Sequence, residues 1–599
     1  MKESSLFRRM GPFLRPYGTR FLLLLALLLA GNLLALAAPL LSGRAVDAVG
    51  IRAGGVDFPG VVRNCLGMLG CYALSSLLNY IVASRLLRTA QAVAHDLRKA
   101  AFDRMSELPV DYFDTHPAGD LISRVCYDTD SVCATLSTDL LQLGTSVFTV
   151  AGSFLMLLIL SPRLTSVFFV TVPLSAALTR FQMKRIHPLF RLRSRELGAL
   201  NGFAEERMGC GRSIRGYGVE EADLALFERR NAAASRAYYD ADRASASLGP
   251  SVNFINNLSL TAVSVFGTLL YLGGGLSLGR LSSFVLYSRK FSGPIREAAN
   301  LLAELQASAA AAERVLDLLD EPLEPGDRSD AVPLKERLRG DIRFDHVTFG
   351  YDPGRPVLRD FTAHIPAGSL AAVVGPTGAG KTTLVSLLLR FYTPQSGSIT
   401  IDGVPVSAYS RDGLRRRLAL VLQDTWLFGG TIAENIAYGT PGASRERIIE
   451  AAKAARIHRF ISSLPQGYDT VLTGEGISKG QKQLLAIARC LLTDADIVIL
   501  DEATSNVDTE TEGEISLAME RLRQGRTCFV IAHRLATVRG AGRILVLDQG
   551  AAVEQGAHSE LLAAGGVYAR LYAAQFQSQS FGDSGENVSA HSEPREIFN

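Results

Sequence analysis

Long uncharged apolar stretches dominate the first half of the chain, and from about Asp341 they give way to short apolar runs separated by charges. A helix that crosses a bilayer needs about 20 apolar residues. Phe21–Leu41 carries no charge and one strongly polar residue, Asn32; Asn64–Ser84 and Leu140–Pro162 are further uncharged runs. Leu164–Thr179 is short and must extend past Arg180, whereas the uncharged run from Ala244 to Gly279 exceeds one span. A fifth helix therefore ends near Gly273-Gly274-Gly275, and a sixth runs from about Leu278 towards Leu305. The stretches Arg85–Glu107 and Gly202–Ala234 place apolar residues at three-and-four spacing, which predicts helical extensions beyond the membrane. Pro109 and Pro117-Ala118-Gly119-Asp120 predict a turn at the tip of the first extension.

The segment 319–340 is rich in proline and charge and marks a linker. These patterns predict an all-α six-helix transmembrane domain over 1–322, a linker over 323–340, an α/β domain over 341–576 and a polar, serine-rich disordered tail over 577–599. Composition agrees: 47% of residues are hydrophobic, 20% are charged and mean hydropathy is +0.17. A net charge of +3 is too near balance to argue for a nucleic-acid partner, so none is expected, and seven scattered cysteines read as neither a disulfide scaffold nor a metal finger.

Basic residues set the orientation. Arg8, Arg9, Arg15 and Arg20 precede the first span, and the segments between spans two and three and between four and five are long and basic. Both termini are expected in the cytosol of a multi-pass cell-membrane protein. Arg8-Arg9, an apolar run and Ala35-Leu36-Ala37 also resemble a signal peptide, but the run is too long for a cleaved one. Arg289 and Lys290 fall inside the sixth span, where charges face a bundle interior or a water-filled path; a boundary shift would put them at the interface instead.

The second half carries Gly375-Pro376-Thr377-Gly378-Ala379-Gly380-Lys381-Thr382, a complete P-loop pattern between an apolar strand (Leu370–Val374) and an apolar helix beginning near Thr383. Its glycines let backbone N–H groups close on phosphate oxygens, Lys381 neutralises charge, and the Thr382 hydroxyl suits Mg²⁺. Ile497–Leu500 predicts a buried parallel strand ending in Asp501 and Glu502. Asp501 suits Mg²⁺, and Glu502 suits a general base aimed at water. A third apolar strand, Cys528–Ala532, leads to His533, placed to contact a γ-phosphate.

Together these residues resemble the ABC ATPase family over nearly the whole second domain. The resemblance implies that Tyr351 stacks on adenine and that Gln423 reaches Mg²⁺ and water. It makes Ile477-Ser478-Lys479-Gly480-Gln481 the signature, Ser505–Asp508 the D-loop and His533 the switch histidine. It also implies that Ser478, Gly480 and Gln481 close over ATP held by a partner's P-loop, so the chain works as half of a dimer. The first domain is similar to the family's exporters: fused to the ATPase, with Phe113–Asp120 and Glu205–Glu221 as segments that dock on ATPase domains. Export of an amphipathic molecule, lipid or peptide follows, with an ATP-gated channel as the rival reading. Lys479 stands where the signature normally has glycine, and the stretch before it is short. The Ser478-Lys479-Gly480-Gln481 signature and the Ser505-Asn506-Val507-Asp508 D-loop resemble heterodimeric bacterial exporters, so a heterodimer is favoured over a homodimer.

Overall fold

The computed structural model describes residues 3–50, 56–327, 331–332, 337–352, 354–422, 425–472, 476–501, 509–532 and 538–580; at 3–5, 7, 292–300, 302–303, 509–510 and 575–580 only the backbone is described. The chain divides into two compact units, residues 1–108 with 116–321, and residues 109–115 with 322–599.

The first unit is helical. Its long helices are α1 (Gly18–Val49), α2 (Phe58–Ser106), α3 (Ala118–Leu160), α4 (Pro162–Gly209), α5 (Glu220–Leu272) and α6 (Leu278–Asp320). The first five are long and apolar enough to cross a membrane by length and composition, and α6 contains the sixth apolar run. The expected spans lie inside single helices that overshoot them, except that the run Leu140–Pro162 is cut at Ser161, whose extended backbone (φ −162°) ends α3 at Leu160 and leaves Pro162 as the first residue of α4. The 49 residues of α2 reach about 74 Å at ~1.5 Å per residue, over twice the hydrocarbon thickness, so much of the helix extends beyond a bilayer. The proline turn expected after α2 holds a short helix, Val110–Thr115. After α4 comes another, Gly211–Tyr217, ended by Gly218 in the left-handed region at φ 64°. Met208, shortly before that helix, and Tyr217, its last residue, are each 84% exposed.

A ladder of contacts joins α1 to α6. Asp47 accepts bonds from the Ser277 hydroxyl (2.8 Å) and the Gly279 N–H (2.7 Å), capping the start of α6. Gly43 and Gly279 cross so closely that a Cβ on Gly279 would lie 1.9 Å from the Gly43 carbonyl oxygen. The Ser283 hydroxyl donates to the Pro39 carbonyl (2.8 Å), the Tyr287 hydroxyl to Leu36, and Lys290 Nζ to Ala35 (2.7 Å). Pro39 explains the last rung. It has no N–H to give the carbonyl four residues back, so the Ala35 oxygen is left for a donor outside α1. In the polar part of the unit the carboxylate of Asp128, 6% exposed, takes two bonds from the Arg314 guanidinium, at 2.8 and 2.5 Å.

The second unit is α/β. A six-stranded sheet has the order β10-β9-β3-β8-β7-β6, built from β3 (Leu370–Val374), β6 (Leu418–Val421), β7 (Ile497–Asp501), β8 (Thr527–Ile531), β9 (Arg543–Asp548) and β10 (Ala551–Gly556). Strands β3, β6, β7, β8 and β9 are parallel, with β10 antiparallel at the edge. A separate antiparallel sheet, β2-β1-β4-β5, uses β1 (Ile342–Phe349), β2 (Leu358–Ile365), β4 (Ser396–Ile401) and β5 (Val404–Pro405). The strands expected at 370–374, 497–500 and 528–532 all lie in the six-stranded sheet. β7 and β8 are buried along their whole length, as near-continuous apolar runs require in a parallel sheet. The last helix, Val567–Ser580, continues past the boundary placed at 576. Neither glycine nor proline interrupts it before Gly582, so the first residues of the expected disordered tail are helical. Residues 581–599 lie outside the described residues.

Candidate functional site

β3 runs between β8 and β9, and the chain leaves it at Gly375 to enter α7 (Lys381–Leu388). The loop between them folds as a tight cradle because two positions admit no side chain. A Cβ at Gly375 would meet the Leu547 carbonyl oxygen at 2.3 Å, and Gly380 is left-handed (φ 99°) with Leu358 only 2.8 Å from any added Cβ. Lys381 is 7% exposed, and its ammonium donates to the carbonyls of Gly375 (2.7 Å) and Pro376 (2.9 Å). Those bonds hold the charge at the mouth of the loop. Burial lowers the Lys381 pKa, and the Asp501 carboxylate opposes that shift by favouring the charged form. Thr382 is exposed at the first turn of α7, beside the loop's own N–H groups. A helix start with a buried cation and a glycine cradle is a phosphate site, so the residues present fit a nucleotide triphosphate.

Asp501 ends β7, 8% exposed, and pairs in register with Ile531 of β8. Strand β8 separates β7 from β3, and the carboxylate is near enough for its charge to act on Lys381. Tyr351 is 52% exposed, with its hydroxyl 3.3 Å from that of Thr383. The aromatic thus lies beside the P-loop helix, and Thr383, 4% exposed, meets the tyrosine through its hydroxyl.

Two residues that hold this ring carry no recognisable signal in the sequence. Gln395 clamps Gly350 from both sides, accepting its N–H and donating to its carbonyl, each at 2.8 Å. Tyr392 packs its ring against Tyr351 edge-on, centroids 5.0 Å apart, and donates its hydroxyl to Asp114 at 2.5 Å. Both lie in Phe391-Tyr392-Thr393-Pro394-Gln395, which reads as an ordinary break after a helix.

Ser478 and Gln481 open a second helix, α8 (Lys479–Leu492), as a reciprocal capping box. The Gln481 N–H donates to the Ser478 hydroxyl (3.2 Å), and the Gln481 side chain accepts the Ser478 N–H (3.0 Å). Gly480 is buried, while Ser478 and Lys479 are exposed. The Ser478 hydroxyl keeps its own proton to donate outward. The apolar face of α8 belongs to a different core cluster from that of α7, so the signature residues and the P-loop sit on separate cores of the unit. The loop before α8's neighbour helix Ile432–Ala437 is fixed by Asn435, 1% exposed, which bonds both the N–H and the carbonyl of Phe428 at 3.1 Å. Gln423, Glu502 and His533, together with 505–508, lie outside the described residues.

Comparison with known proteins bears on this arrangement. Residues 21–295 match the model of the ABC transporter transmembrane region, and residues 358–505 match that of the ABC transporter. A fatty acid ABC transporter ATP-binding/permease protein of Mycobacterium bovis is 43% identical over 89% of this chain and 84% of its own. An ATP-dependent lipid A-core flippase of Legionella pneumophila is 36% identical over 84% of each chain. Among solved structures, a bacterial Atm1-family ABC exporter with ATP bound aligns with a TM-score of 0.76 at 30% identity, covering 96% of this chain and 99% of that one.

Proposed function

Because the chain belongs to the ABC transporter family, as an exporter-type half-transporter with an ATPase coupled to transport, we propose that it expels an amphipathic molecule, lipid or peptide by alternating access. The observation that carries this reading is a complete phosphate cradle, with Lys381 held at its mouth, on the same chain as five helices fit to cross a membrane. The named relatives handle a fatty acid and lipid A-core, both amphipathic, and that supports the cargo class.

In this reading Tyr351 stacks on adenine, the loop 375–380 and Thr383 surround the phosphates, and Lys381 offsets their charge. Thr382, Asp501 and Gln423 hold Mg²⁺, which draws charge from the β- and γ-phosphates. Glu502 takes the proton of the attacking water, and His533 contacts the γ-phosphate. Ser478, Gly480 and Gln481 act on the nucleotide of a second half-transporter, so hydrolysis needs two chains. The exposed Lys479 in the first turn of α8 adds a cation where the family keeps a glycine, which favours a non-identical partner. Both termini and the ATP-binding unit face the cytosol, where ATP is supplied, and the lipid bilayer surrounds the long helices.

The test is Mg-ATP hydrolysis by the protein in lipid nanodiscs, alone and with a co-expressed candidate partner, using Glu502→Gln as control. Hydrolysis by the chain alone, lost in the control, would establish a homodimer and remove the case for a non-identical partner. Hydrolysis only with the partner supports the heterodimer. ATP binding without hydrolysis in either preparation would refute the pump and favour the gated channel.

A further inference from the structure

Lys290 lies deep in the helical unit, at a level along its helix that two neighbouring helices share. At ~1.5 Å per residue it lies about 18 Å along α6 from Leu278, Ala35 about 21 Å along α1 from Val49, and Tyr72 about 21 Å along α2 from Phe58. A hydrocarbon core is about 30 Å thick, so this depth is well inside it. Lys290 is half-buried, donates one bond to the Ala35 carbonyl freed by Pro39, and lies 5.7 Å from the centroid of the Tyr72 ring. An ammonium has three donors. Among the described residues one hydrogen-bond acceptor meets them, and no carboxylate lies within 4.0 Å.

A carbonyl and an aromatic face orient a cation without neutralising it. Charges at this depth are retained where they pair with something or face a wet pathway. On the Tyr72 side the surface is exposed, Tyr72 itself to 43%, while Tyr287 on the preceding turn is fully buried against α1. Arg289, one residue back and about 100° around the helix, is exposed and belongs to another face. A single ammonium balances a singly charged head group, and the two donors that no described residue accepts match the two oxygens of a carboxylate.

We propose that Lys290, backed by the Tyr72 ring, is an anion-binding point inside the membrane unit that takes the carboxylate of a single-chain amphipathic cargo. The proposal rests on the export reading for the direction of transport, and on the geometry alone for the site. The Ala35 carbonyl holds the ammonium in place, and the carboxylate adds to that contact from the Tyr72 side. An alkyl chain then lies along the apolar faces of α1 and α2.

The experiment is equilibrium binding of radiolabelled dodecanoate and of methyl dodecanoate near neutral pH, where the carboxylate is ionised and the ammonium keeps its proton. It uses the full chain, with its partner if one co-purifies, in phosphatidylcholine nanodiscs, with empty nanodiscs subtracted. The acid is expected to bind at least about tenfold tighter than the ester, the factor supplied by one hydrogen bond between charged groups. Lys290→Gln is expected to erase that preference and Lys290→Arg to keep most of it. A merely structural lysine would shift stability but not the choice between acid and ester. Equal binding of the two by the unaltered protein, or an unchanged preference in Lys290→Gln, would overturn the proposal. A readout needing no variant is protection of Lys290 from amine acylation, read by mass spectrometry. Dodecanoate slowing its labelling more than the ester supports the site, and equal labelling refutes it. No ATP is present, so failure of the pump reading would show in hydrolysis with binding intact, and failure of this site would show in the reverse.

Discussion

Residues 109–115 belong to the ATP-binding unit although they lie between two helices of the membrane unit in sequence, and one hydroxyl of the unit bonds a side chain of that segment. Tyr392 donates to Asp114 at 2.5 Å, and burial together with the Asp114 carboxylate raises its pKa, so the phenol stays protonated and remains a donor at any workable pH. Tyr392→Phe removes the donor and keeps the ring against Tyr351 and Phe349, at 5.0 and 5.5 Å. A hydrogen bond to a charged acceptor nets about 1.5–3 kcal/mol, and the exposure of Asp114 reduces this to about 1 kcal/mol. The open form of 109–115 should then become about fivefold more populated, since ~1.4 kcal/mol is a factor of ten. Hydrogen exchange of the full protein, read on peptides covering 109–115, should quicken by that factor while β3 and β8 keep their protection. Asp114→Asn should have a similar effect, and the double variant should add little to either. Unchanged exchange at 109–115 in Tyr392→Phe would show that this hydroxyl does not hold the segment.

Other expectations follow from single contacts. Lys381→Met should weaken binding of a fluorescent ATP analogue by about tenfold to a hundredfold, the range for hydrogen bonds to a charged group, and an unchanged affinity would contradict the phosphate site. Asn435→Ala leaves the buried N–H and carbonyl of Phe428 unmatched and should cost about 2–3 kcal/mol in the denaturant midpoint of the ATP-binding unit. Gly279→Ala forces a Cβ into the Gly43 carbonyl and should lower the melting temperature of the membrane unit in detergent, with an expected cost of about 1–3 kcal/mol. The His364 hydrogen bond, with Arg343 beside it, holds the Asp341 carboxyl below its usual range. A depressed carboxyl stabilises the fold above its unfolded value of about 3.9, and this is lost as pH falls through the folded value. His364→Gln should therefore flatten the acid-side fall in melting temperature, and an identical fall would remove this pair as its source.

The elements and the chemistry written in contiguous residues were legible from the sequence. An uncharged run long enough to span a bilayer satisfies its own backbone only as a helix, so the long helices followed from hydropathy. Gly375–Thr382 declared its fold because a loop that wraps phosphate needs glycine at fixed offsets, and β3, β7 and β8 because a buried parallel strand is apolar throughout. What the sequence by itself could not reach is every relation between distant positions. It offered Ser478 and Gln481 as ligands of a partner's nucleotide, and the fold shows them first capping their own helix. It treated Arg289 and Lys290 as a pair, and the fold separates them, one exposed and one donating to Ala35, 255 residues away in sequence. The reason is geometric. Adjacent residues on a helix point about 100° apart, and which direction meets a neighbouring helix depends on the α1–α6 crossing at Gly43 and Gly279, where Pro39 frees a carbonyl for a lysine no local pattern could assign to it.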